Sequence, residues 1–63
     1  ALEIASELYR MRQKAKLTQV DLARLMSTNQ ATIAKVEKGR DLKLSTIERF
    51  ALACGRHIKI TII

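Results

Sequence analysis

Hydrogen-bonding amides and cationic side chains crowd one short stretch of this 63-residue chain. Gln19 leads it, Asn29, Gln30, Thr32 and Lys35 occupy its middle, and Lys38, Gly39, Arg40 and Lys43 come directly after. An amide offers a donor and an acceptor side by side, a hydroxyl can act as either, and lysine or arginine holds an anion. Such a set suits reading polar edges and gripping phosphates. Bond-making sets are not in evidence. Ser6, Ser27 and Ser45 have no adjacent base. One His (His57) and one Cys (Cys54) fall short of the three or four ligands of a zinc site. An aromatic content of 3% gives no stacking platform for single strands. No enzyme, metal or cofactor is expected.

The elements that must position these groups follow from periodicity. Ile4, Leu8, Met11 and Ala15 repeat at helical spacing and predict a first helix over residues 2–14, with Glu3 near its start and basic residues towards its end. Thr18 with Asp21 resembles a capping box and opens a second helix over 18–26, whose inward face is Leu22, Ala23 and Met26. Asn29 is a suitable N-cap for a third helix over 29–38. Ile33 and Val36 face inward there, Gln30, Ala31, Ala34, Lys35 and Lys38 face outward, and Gly39 is a left-handed C-cap. Two short helices with so tight a joint make a helix-turn-helix, in which the second helix enters the major groove of DNA. The set Ser45-Thr46-Ile47-Glu48 predicts a capping box ahead of a fourth helix over 45–54, with Leu44, Ile47, Phe50, Ala51 and Cys54 buried.

After Gly55 the period changes to two. His57, Lys59 and Thr61 alternate with Ile58, Ile60 and Ile62, which predicts a strand over 57–62. A lone strand must pair its backbone groups, and the nearest partner is the same segment of a second copy. The expected fold is therefore all-α, four helices in one domain over 1–63, with a C-terminal β-strand that pairs in a homodimer.

Bulk properties bound the function. Twelve Lys plus Arg against six Asp plus Glu give a net charge of +6 and a pI near 10.1, as in nucleic-acid-binding domains. A hydrophobic content of 48% excludes a disordered chain. No apolar run approaches the roughly 20 residues that span a bilayer. No signal peptide is visible, and a single cysteine agrees with a cytoplasmic location.

The runs Leu17-Thr18-Gln19-Val20-Asp21-Leu22-Ala23 and Asn29-Gln30-Ala31-Thr32-Ile33-Ala34-Lys35-Val36-Glu37-Lys38-Gly39 resemble the Cro/cI-type (XRE) helix-turn-helix family of phage repressors and bacterial regulators. The resemblance covers roughly residues 4–55. It implies a lambda-repressor-like fold and a Gln30 that bonds adenine bidentately. Ala31 then meets a thymine methyl, Thr32 a base or a phosphate, and Lys35 guanine, with Asn29 and Ala34 flanking. The resemblance implies phosphate contacts from Thr18, Gln19, Lys38, Gly39, Arg40 and Lys43, and an Arg12–Glu37 pair whose arginine either braces the fold or approaches the DNA backbone. Ser27 stands where the family usually has a left-handed Gly. The terminal strand resembles antitoxins of the HipB and HigA kind, whose strands pair between protomers.

The expectation is a homodimeric, sequence-specific repressor that sets two recognition helices about 34 Å apart on a palindromic operator in double-stranded DNA. The antitoxin resemblance implies a cognate toxin as partner and control of the shared operon. A stand-alone phage-type or restriction-controller repressor, and a protein-docking module on the same fold, are the alternatives. Leu25 and Leu52 fall on faces expected to be exposed, and with Ile63 they suit a dimer or partner contact.

Overall fold

The computed structural model of the protein describes residues 3–40 and 42–57. Four helices run through them: α1 Glu3–Lys14, α2 Gln19–Leu25, α3 Gln30–Glu37 and α4 Leu44–Ala53. No strand occurs among the described residues, and the architecture is all-α. The strand expected over 57–62 lies outside them from Ile58 onward, as does the pairing of Ile58, Lys59, Ile60, Thr61 and Ile62 with a second copy. His57 is exposed and has no regular structure.

One core holds the helices together. Leu8, Leu22, Ala23, Met26, Ile33, Val36, Ile47 and Phe50 form it, with Met11, Leu17, Leu42, Ala53 and Cys54 packed at its edge. Each fully buried large side chain contributes about 1.5–3 kcal/mol relative to exposure. α2 lies against α3 and α4, and α1 reaches both α3 and α4. α3 is thus held from behind by α1 and α2.

Local sequence sets the helix starts. Thr18 Oγ1 accepts from the Asp21 N–H at 3.0 Å, and Asp21 Oδ2 accepts from the Thr18 N–H at 2.9 Å. That reciprocal pair is a full capping box. Asn29 Oδ1 caps α3 by accepting from the Thr32 N–H at 2.9 Å.

α4 departs from expectation. It begins at Leu44, and its N-cap is Lys43, which makes no side-chain capping bond. The Lys43 carbonyl already accepts from the Ile47 N–H at 3.0 Å, so Ser45 lies inside the first turn and the S-x-x-E set is no capping box. Leu44, expected in the core, is 49% exposed for the same reason.

α1 also differs. Its buried stripe is Ala5, Leu8 and Arg12, while Ile4 is exposed and Met11 and Ala15 are half-buried. The helix is turned towards an interior charge that an apolar-periodicity argument does not anticipate.

All four helices end alike. After each, two backbone N–H groups fold back on the last turn: Lys16 to Gln13 and Leu17 to Arg12, Ser27 to Arg24 and Thr28 to Ala23, Gly39 to Val36 and Arg40 to Lys35, Gly55 to Leu52 and Arg56 to Ala51. This double closure needs a left-handed residue. Gly39 and Gly55 supply it at two ends, with φ of 81° and 77°, whereas Lys16 and Ser27 adopt φ of 58° and 55° at the others. The left-handed residue expected at Ser27 is therefore present. The Met26 carbonyl at the end of α2 is further satisfied by the Arg49 guanidinium of α4, which stitches the turn to the body of the fold.

Candidate nucleic-acid interface

The interface is built outward from a buried ion pair. Arg12 Nε donates to Glu37 Oε2 at 2.6 Å and Nη2 to Glu37 Oε1 at 3.1 Å. Its Nη1 donates to the Leu17 carbonyl at 2.8 Å. The two side chains are 11% and 6% exposed. The Glu37 carboxylate holds the guanidinium proton of Arg12 above its ordinary range, by hydrogen bonding first, against an opposing burial effect. The Tyr9 ring lies 5.3 Å from the guanidinium carbon, close enough for a cation–π contact.

The pair fixes the polarity of what lies above it. Glu37 as a carboxylate only accepts. Gln19 must then offer its NH₂ group, and its Nε2 donates to Glu37 Oε1 at 3.1 Å. That leaves Gln19 Oε1 facing Gln30, whose Nε2 donates to it at 3.2 Å. Among the described residues, Gln30 Oε1 and its second amide N–H have no partner. These are the acceptor and donor that match adenine N6 and N7 in a bidentate contact. Four residues from α1, α2 and α3 thus form one directed relay that ends in an oriented amide.

The eight residues of α3 span about 12 Å, close to the width of the major groove. Gln30, Ala31 and Lys35 are exposed on it, and Ala34 is half-buried. Asn29 and Thr32 are partly committed to the cap, since the Thr32 hydroxyl also donates to Asn29 Oδ1 at 3.1 Å. Asn29 retains its NH₂ group for an outside acceptor.

The expected phosphate group divides. Lys38, Arg40 and Lys43 are exposed after α3, and Gly39 is the half-buried hinge between them. A second groove between α3 and α4 is lined by Thr32, Lys35, Lys43 and Thr46. Thr18 and Gln19 line an open groove at the start of α2, together with Arg12, Lys16 and Gln30. The Thr18 side chain is engaged within the capping box, where its oxygen accepts from the Asp21 N–H. Arg12 differs, because each of its nitrogens already donates to a protein acceptor. These three bonds tie α1 to α3 and to the turn before α2.

Two contributors escaped the sequence reading. Arg49 joins α4 to the Met26 carbonyl across 23 residues of chain, and nothing local announces such a contact. Lys16 lines the groove beside Gln30. Its position two residues before the capping threonine was the available signal.

Burial pushes the Cys54 thiol up, with the nearby Arg12 charge opposing, so the sulfur is a neutral core-edge group. Among the described residues no three His, Cys, Asp or Glu side chains gather as metal ligands, and no helix is long and apolar enough to cross a membrane.

A four-helix core that turns an amide- and lysine-bearing helix outward defines a helix-turn-helix domain. A family profile described as a helix-turn-helix domain matches residues 3–57, and the chain belongs to that family. The class points to a DNA-binding regulator. No curated protein matches the chain.

Proposed function

We propose that the protein binds duplex DNA sequence-specifically, with Gln30 and Lys35 reading base edges and Asn29, Ala31, Thr32 and Ala34 shaping the contact. The relay that leaves Gln30 with an outward donor and acceptor is the observation that carries this reading. Thr18, Gln19, Lys38, Gly39, Arg40 and Lys43 hold phosphates and set the register, while Arg12 braces the relay from within. The charge of +6 supplies the salt-dependent part of the affinity.

The functional unit in this reading is a homodimer on a palindromic operator, joined through His57 to Ile62, and its output is transcriptional repression. The resemblance of its terminal sequence pattern to antitoxins of the HipB and HigA kind supports an antitoxin that represses its own operon alongside a toxin. Removing residues 56–63 then gives a monomer by sedimentation, and a dimer that persists rejects that interface.

Selection from random duplexes at fixed salt tests the DNA reading. An enriched motif with two related half-sites supports it, and no enrichment rejects it. A protein-docking role draws support from Leu25 and Leu52, 59% and 61% exposed on neighbouring helices, and predicts that second outcome.

A further inference from the structure

We propose that Lys16 is a DNA-phosphate anchor, held at the mouth of the Gln19–Gln30 groove by a turn that would be less strained with glycine. The inference rests on the DNA-binding reading above and adds a residue to it. Two independent observations converge on Lys16.

The first is electrostatic. The groove has two cations among its lining residues, Arg12 and Lys16. Arg12 is neutralised by Glu37 at 2.6 Å and is 9% exposed. Lys16 is exposed and makes no ion pair among the described residues. It is therefore the groove's available positive charge, beside the neutral amide donors of Gln19 and Gln30. A phosphate seated there would meet one full charge and several hydrogen-bond donors, and the base-reading amide lies at the same groove.

The second is conformational. Lys16 occupies the left-handed closing position of α1 at φ 58°, the role that Gly39 and Gly55 fill after α3 and α4. A side chain is disfavoured there. The turn is nevertheless pinned, by the Lys16 N–H on the Gln13 carbonyl at 3.0 Å and by Arg12 Nη1 on the Leu17 carbonyl at 2.8 Å. A strained residue on a rigid turn, with its charge at a recognition groove, marks a site where binding outweighs stability.

The test measures binding of the intact chain to a fluorescein-labelled mixed-sequence duplex by anisotropy, across roughly 50 to 200 mM salt. Lys16→Gln and Lys16→Gly should each lower the slope of log affinity against log salt by about 0.9 per protomer, so that the fold-loss across that range shrinks about threefold for each contact removed. Lys16→Arg should retain the parent slope. Lys16→Gly should also melt no lower than the parent, which separates lost contact from lost fold. A parent slope retained in folded Lys16→Gln overturns the role of Lys16 and leaves the DNA reading intact. A parent that binds the duplex with no salt dependence overturns both.

Discussion

Substituting Glu37 by Gln tests the relay at its root. The carboxylate is 6% exposed and accepts from Arg12 twice and from Gln19 once. Removing its charge strands the Arg12 guanidinium without a counter-ion, and breaking one side of a buried pair costs about 3–5 kcal/mol. A 63-residue domain has roughly 3–9 kcal/mol in total at about 0.05–0.15 kcal/mol per residue, so Glu37→Gln should be at or near the edge of unfolding. Urea unfolding at neutral pH reads this directly. Arg12→Met with Glu37→Met should recover stability to within about 1 kcal/mol of the parent, since an apolar pair of similar volume has no stranded charge. That double variant should still have lost base preference, because Gln19 no longer has an acceptor to orient its amide. Single substitutions costing under about 1 kcal/mol that simply add in the double variant would refute the reasoning.

Two further perturbations probe the turn and the cap. Ser27→Gly should raise stability by about 0.5–1 kcal/mol, the left-handed penalty less the chain entropy of glycine, and shift Tm upward by roughly 2–8 °C in a thermal melt; a lower Tm would count against strain at Ser27. Asp21 is held below its ordinary value of 3.8 by the Thr18 N–H first and the Thr18 hydroxyl second. Its contribution is therefore present above that value and fades as pH falls through the lower folded value. Asp21→Asn should flatten that acid limb of the Tm-against-pH curve, and an unchanged limb would remove the capping carboxylate from the account.

Much of the fold was legible because its signals are local. The cap at Thr18 with Asp21, the cap at Asn29, the closing Gly39 and the inward Leu22, Ala23, Met26, Ile33 and Val36 each depend on residues within one or two turns. The start of α4 was misplaced because S-x-x-E is also local, yet the Lys43 carbonyl captured the first helical bond two residues before the serine. The inward stripe of α1 departs from its apolar periodicity because Arg12, paired with Glu37 25 residues away, takes a place in it. Of the interface, the exposed Gln30 and Lys35 could be inferred from helical phase. The direction of the Gln30 amide could not, since it is inherited from Arg12 through Glu37 and Gln19, three residues on three different helices. Arg49 and Lys16 were missed for a related reason, as their roles depend on which surfaces the fold brings together.

The central claim is that α3 offers an oriented Gln30 amide to a base edge. Selecting bound duplexes in parallel with the parent protein and with Gln30→Ala, at one salt concentration, tests it most directly. The parent motif should carry one strongly preferred base pair in each half-site that Gln30→Ala no longer distinguishes, while neighbouring positions keep their preference. Identical motifs from the two proteins would contradict it.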